Sequence, residues 1–358
     1  MKQFLLPSIA LFATHLAACA CAADLPPALA ELAAAADKEG ALKLSWGTSS
    51  LGGAEGARRM EQAINERFGT KIRITYSPGP DLVQSGFQVA TEAKAGRPAS
   101  TDVLQGVHET LPALIRGKTL RPIDWKAYLP GRVQDGMVEA GGMAVRVATQ
   151  PYGVTYNTQL IPEPPRTLSA LLEPQFKSKI LTTSFAGGFS LLAANDVWGP
   201  EKTLAYMKSF ASQAEGLGRC SPAFAKIVSG EFPIFALDCG PQDGLELKAK
   251  GLPVDVLMPQ DYVMWGYTYL TVPVNSQHPN AATLYSVFLL TDEGQSLLYD
   301  VWHRDLHLFP ESKFAAFMNT ALKTPGAKIV EGSASWIAER PEIEKTREAM
   351  VRLLRQSK

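Results

Sequence analysis

The chain lacks a surplus of either charge. Its 35 basic and 35 acidic side chains cancel, and no run of lysine or arginine stands out. Nucleic acid and anionic membrane surfaces are therefore excluded as its main partners. Long apolar runs are also missing. The longest, residues 4–18, is shorter than the about 20 residues a membrane-spanning helix needs. Catalytic signatures are absent as well: there is no phosphate-binding G-x-x-x-x-G-K-[ST], no G-x-G-x-x-G and no H-E-x-x-H. "GFSLL", starting at Gly188, keeps only the first half of a nucleophile elbow. Neither an enzymatic activity nor a cofactor is therefore expected.

What the first residues do contain is ordered. Lys2 precedes the apolar run, and small residues follow it in "HLAACACAAD". This is the order of a secretory leader, read here as residues 1–23 and implying an exported, periplasmic protein. Two processing routes stay open. Ordinary cleavage fits the small residues around Cys21, whereas "LAAC" resembles a lipobox that would make Cys19 an acylated first residue. Without the leader, which carries Lys2 and no acid, the net charge is −1.

Of the four cysteines, Cys220 and Cys239 then remain. In an exported chain such a pair most simply forms one disulfide, stabilising the fold by about 3 kcal/mol. A metal pair would need further ligands nearby. "HRDLH" sets His303 and His307 four apart, but no third ligand is evident and Pro310 soon follows, so it is read as structural.

Periodicity gives the architecture. "ALKLSW" alternates like a half-buried strand, "EGARRMEQAINERFG" repeats Met60, Ile64 and Phe68 at helical spacing before Gly69, and "KIRITY" returns to period two. A further helix at residues 81–95, a strand at 101–105 and a short helix around Pro112 repeat the theme. A second block of strand and helix patterns begins near Tyr152. The expected fold is α/β, with two similar lobes of mixed sheets and flanking helices. Ligands in such folds meet the loops at the strands' carboxyl ends. Expected boundaries are 24–150 with 272–311 for lobe 1 and 151–271 for lobe 2. Residues 312–358 are expected to pack on lobe 2, with hinges near 150–153 and 266–272.

Five loops then become the candidate site: "GTSSLGG", "QGVHE", "TTSFAGGF", "LDCGPQD" and "PQDYVMWGY". The candidate ligand-binding residues are Thr48, Ser49, Ser50, Gln105, Tyr152, Ser184, Gly187, Gly188, Asp238, Asp261 and Trp265. Ser/Thr/Gly loops before helices offer hydroxyls and backbone N–H groups to an anion. Against that, the five loops hold Glu109, Asp238, Asp243 and Asp261 beside Tyr262, Trp265 and Tyr267, with no lysine or arginine. Acids beside aromatic faces suit an organic cation or zwitterion, which is slightly favoured over an anion.

Several stretches also resemble a known family: "EAKAGRPASTDVLQG", "YGVTYNTQLIPEPPRTLSALLEPQFKSKI", "IVSGEFPIFALDCG", "KAKGLPVDVLMP" and "VPVNSQHPNAATLYSVFLLTDEGQSLL". They are similar to the type 2 periplasmic solute-binding proteins of ABC importers, near the family 1 extracellular binding proteins and their ferric-type relatives. The resemblance implies two lobes joined by crossover strands and a small-molecule ligand held between them. It also implies a permease in the inner membrane as partner and a monomeric protein. Ferric relatives use an adjacent tyrosine pair near the segment that here reads "ALDCGPQDG". This chain has no Tyr-Tyr pair anywhere. Iron, a hard cation that favours oxygen donors, is therefore not the expected ligand. A periplasmic sensor feeding a receptor kinase would use the same fold, as, less simply, would a hydrolase.

Overall fold

Alternation in "ALKLSW" builds the first strand. In β1 (Ala41–Trp46), Leu42, Leu44 and Trp46 are buried while Lys43 is exposed, as in a strand with one face on a core. The helix Gly53–Phe68 follows and buries Met60, Ile64 and Phe68. Gly69 closes it in the left-handed region, at φ 66°. β2 (Arg73–Pro78) then runs parallel to β1, with Ala41 opposite Arg73.

The structure, a computed structural model, describes residues 25–47, 50–80, 82–108, 110–218, 220–237 and 240–357. The expected leader with Cys19, and the candidates Thr48, Ser49, Asp238 and Cys239, lie outside the described residues. No helix among the described residues is long and apolar enough to cross a membrane.

The strand expected at 101–105 is realised as β3 (Leu104–Gly106). Just before it, side chains reinforce the backbone bond from the Asp102 N–H to Lys43 O, 2.8 Å long. Asp102 Oδ2 accepts the Lys43 N–H at 2.7 Å, and Thr101 Oγ1 accepts the Ser45 N–H at 3.2 Å. β4 (Val138–Glu139) and the almost wholly buried β5 (Ala144–Pro151) complete this part of the first lobe.

The chain crosses at Tyr152 and Gly153 into the second lobe. There β6 (Val154–Asn157), β7 (Ile180–Thr183), β8 (Gly216–Gly218), β9 (Ile234–Ala236) and β10 (Val254–Leu257) form one sheet in the order β10-β6-β9-β7-β8. β7 is parallel to β8 and β9, and β6 is antiparallel to β9 and β10. The return passes residues 258–261 into β11 (Tyr262–Thr271), and β12 (Lys328–Glu331) comes later. The first-lobe sheet reads β12-β11-β5-β4, with β3 also on β11.

Two large cores result, and a smaller cluster of Leu181, Phe224, Ile227 and Phe235 lies in the second lobe. One gathers Trp46, Trp125, Tyr269, Tyr285 and Phe288, and the other Tyr152, Phe189, Phe210 and Met350. Core membership is mixed along β11. Val263, Trp265, Tyr267, Tyr269 and Leu270 belong to the first core, because β11 pairs along β5 and β3, whereas Met264 belongs to the second. Residues 266–271 lie inside the first-lobe sheet. The C-terminal segment divides as well. Phe314, Met318 and Ala321 join the first core, and β12 extends the first-lobe sheet beside β11. The last helix, Pro341–Gln356, packs on the second-lobe helix Gly199–Gln213.

Candidate functional site

The carboxyl ends of β3, β7 and β9 converge on the first crossover. Tyr152 sits there almost wholly buried, its N–H on Met264 O at 3.0 Å and its hydroxyl 3.3 Å from His108 Nδ1. Gly188 makes this possible. A Cβ on Gly188 would lie 2.3 Å from Tyr152 Cγ, so any side chain would displace the ring. Gly266 does the same on the opposite side, where a Cβ would lie 3.2 Å from His108 Nδ1 and 3.3 Å from the Tyr152 hydroxyl. Tyr152 and Gly188, both expected at the ligand, thus meet each other at the crossover.

Around this point the loops differ in what they offer. Ser50 is buried in the short turn Ser50–Gly52, its N–H bonded to Gly47 O at 2.9 Å. Gln105 on β3 is 1% exposed, and neither of its amide atoms has a hydrogen-bond partner among the described residues. Thr183 ends β7. Its hydroxyl also lacks a partner among the described residues, whereas the neighbouring Thr182 hydroxyl bonds Ala236 O at 3.0 Å. Ser184 follows in a half-buried turn. Gly187 leaves room beside the Thr183 hydroxyl and Leu237 O, each 3.4 Å from where its Cβ would stand. On the helix Gln242–Ala249, Gln242 Nε2 donates to Thr149 O at 3.0 Å while its Oε1 stays unpartnered among the described residues.

Asp261 and Asp243, the two described acids behind the cationic expectation, are held inside the fold. Both Asp261 oxygens accept the Leu168 N–H at 3.0 Å, which fastens a second-lobe loop. Asp243 receives Arg304 Nη2 at 2.7 Å, with His303 Nδ1 at 3.9 Å. Burial pushes the Asp243 carboxyl up, but Arg304, with His303 beside it, outweighs burial and holds it below the usual range. The aromatic faces are taken too. Trp265 Nε1 donates to the Tyr267 hydroxyl at 3.0 Å, and the Arg146 guanidinium covers the Tyr267 ring at 4.0 Å. Arg146 is itself held by Glu139 at 2.9 Å and Glu331 at 2.7 Å.

Sequence reasoning missed Thr183, Gln242 and Arg304 as features of this region. The first two stand inside loops already singled out. Arg304 lies in "HRDLH", which was weighed for its histidines. That weighing changes as well: the helix Asp292–Trp302 ends before His303, whose left-handed φ of 56° turns the chain away, so the two histidines share no helix face. Among the described residues no group of three His, Cys, Asp or Glu could hold a metal ion.

Comparison with known proteins follows from this geometry. Residues 60–313 match the model of a family described as bacterial extracellular solute-binding protein. No curated protein matches the chain in sequence. Among solved structures it is similar to the substrate-binding protein of an ABC transporter from Agrobacterium tumefaciens. That likeness has 15% identity and a TM-score of 0.68, covering 88% of this chain and 95% of the other. Iron-bound HitA from Pseudomonas aeruginosa gives 16% identity and a TM-score of 0.65, with 88% and 99% covered. AgtB from A. tumefaciens R10, in complex with agropinic acid, gives 15% and 0.66, with 88% and 98% covered. Identities this low show the fold alone. The family match spans well over half of the 358 residues, and this chain belongs to the bacterial extracellular solute-binding proteins.

Proposed function

We propose that this chain is the exported solute-binding component of an ABC importer, taking a small molecule between its lobes and delivering it to a membrane permease. The observation that carries the reading is the crossover geometry. Two lobes with separate cores are joined at Tyr152–Gly153 and at residues 258–261, and the strand ends of both lobes face that junction. Such a junction lets a ligand favour a closed arrangement that a permease can later reopen. Two similar structures support it in their own descriptions, one as an ABC transporter's binding protein and one with agropinic acid bound.

Ser50, Gln105, Ser184 and Gly187 are proposed to border the solute, with Thr48, Ser49 and Asp238 of the same loops. Tyr152, Gly188, Asp261 and Trp265 form the frame. Iron is left out of the proposal because the tyrosine pair is missing. Export by the leader at residues 1–23 belongs to the reading, with ordinary cleavage and lipidation at Cys19 as its two routes. So does a Cys220–Cys239 disulfide. The helix Cys220–Ser229 connects β8 to β9, both parallel to β7, so its first residue lies at the strands' carboxyl end.

Thermal melting tests the proposal. The mature protein is melted with and without the dialysable small-molecule pool of a rich culture extract. A solute at about 100 times its dissociation constant stabilises the folded state by roughly 2.7 kcal/mol, so the melting temperature is expected to rise. The same pool recovered unchanged in composition separates capture from turnover. No rise, or consumption of a compound, would overturn the reading.

A further inference from the structure

We infer that the solute is an uncharged molecule rich in hydroxyl or amide groups, an inference that rests on the interlobe site proposed above. Among the described residues, the charged side chains near the crossover named above are matched internally. Asp261 is held by the Leu168 N–H, and Asp243 is held by Arg304. The other Arg304 nitrogen contact is Nη1 to Trp302 O at 3.0 Å, with the Trp302 ring 4.9 Å from its carbon. Arg146 is shared between Glu139 and Glu331. A charged solute would enter without a counter-charge among these groups, and burying an unmatched ion is strongly unfavourable.

The uncommitted polar atoms are all neutral. Gln105 Nε2 and Oε1, Thr183 Oγ1 and Gln242 Oε1 are fully buried and without partners among the described residues. They come from both lobes: Gln105 from β3, Thr183 from the end of β7, and Gln242 from the helix after β9. Buried polar groups are rarely left unmatched, so four such atoms at converging strand ends mark where a ligand's groups belong. Their chemistry selects the ligand. A carboxylate or phosphate can only accept and an ammonium can only donate, whereas this set both donates and accepts. Hydroxyl and amide groups, which do both, satisfy it.

Backbone approach supports the same reading. Gly187 and Gly240 keep side chains away from the Thr183 hydroxyl and from Gln242 Oε1, which a Cβ on Gly240 would meet at 2.8 Å. The inference replaces the cationic preference drawn from composition, because the described acids that motivated it are spent inside the fold.

The test splits the dialysable pool by ion exchange into cationic, anionic and uncharged fractions and melts the protein with each. The uncharged fraction is expected to carry the whole stabilisation. Stabilisation by either charged fraction overturns the inference while leaving solute binding standing. A pool inactive before fractionation removes the binding reading itself. Two variants sharpen the result. Gln105→Glu should weaken capture at least tenfold for an uncharged solute but strengthen it for a cation. Thr183→Val, nearly the same shape, should weaken capture with an unchanged melting temperature in the solute-free protein. Unaltered capture by Thr183→Val would remove that hydroxyl from the site and overturn the donor–acceptor set.

Discussion

His307 shows what one side chain contributes here. Its ring stacks on Tyr267, Trp265 meets its edge, and Nδ1 lies 2.7 Å from Thr149 Oγ1. Burial pushes its pKa down from 6.5 to about 4; Glu331 pulls it upward and Arg146 opposes that pull. The folded protein thus prefers the neutral ring, whereas the unfolded chain takes up a proton below pH 6.5. Stability from this group is complete above 6.5 and drains as pH falls toward about 4. Denaturant titrations from roughly pH 7.5 to roughly pH 5 should show a loss of about 2 kcal/mol that His307→Asn removes. An equal loss in the variant would assign the effect to other groups. At this scale the sequence was legible for facing and mute about partners. Alternation marks β1 as half-buried, but nothing in "PQDYVMWGY" reveals that Asp261 bonds a backbone N–H ninety-three residues earlier. That is why acids near a cleft suggested a cation.

Elements were readable in proportion to their own periodicity. The helix Gly53–Phe68 and strands β1 and β2 carry their pattern locally, so spacing alone finds them. β8 (Gly216–Gly218) reads "GLG" and has no strand propensity. It exists because Leu181 to Thr183 of β7 supply a parallel edge. β12 is exposed except at Val330 and is fixed by pairing with β11 and by the Glu331–Arg146 bridge. The final helix combines both sources. Its stripe of Ile343, Met350 and Leu354 is legible and joins the second core, while the preceding Phe314, Met318 and Ala321 join the first. The fully buried Met350 tests how far that stripe stabilises the second core. Met350→Ala should cost about 3 kcal/mol, against less than about 0.5 kcal/mol for the exposed Arg352→Ala, read from urea melts. A near-neutral Met350→Ala would make the helix an appendage rather than part of the core.

Across the whole molecule, the contacts between the lobes include a small polar set beside the crossovers. Asp243 and Glu246 lie on a second-lobe helix, while His303 and Arg304 follow a first-lobe helix. Arg304 reaches Asp243 at 2.7 Å, and His303 stands 3.9 Å from Asp243 and 3.8 Å from Glu246. Gln242 adds its bond to Thr149 O. Two-lobed architecture follows from the order of strand and helix patterns. These cross-lobe partners do not, since they join residues sixty-one positions apart that no local rule connects. In the proposed function, their position gives them a role in the balance between open and closed forms. Arg304 is largely buried, so removing it leaves Asp243 partly buried without its cation, and that arrangement is relieved when the lobes separate and water returns. Each loss of about 1.4 kcal/mol from the closed form shifts the two populations tenfold. Arg304→Gln is therefore expected to enlarge the radius of gyration of the solute-free protein in solution scattering. Arg304→Gln combined with Asp243→Asn should lie nearer the parent, because no charge is then stranded. A parent-like radius in the single variant would mean that the ion pair only decorates an interface held by Gln242 and the crossovers. A larger radius that contracts again with saturating solute would show ligand and ion pair acting on the same equilibrium.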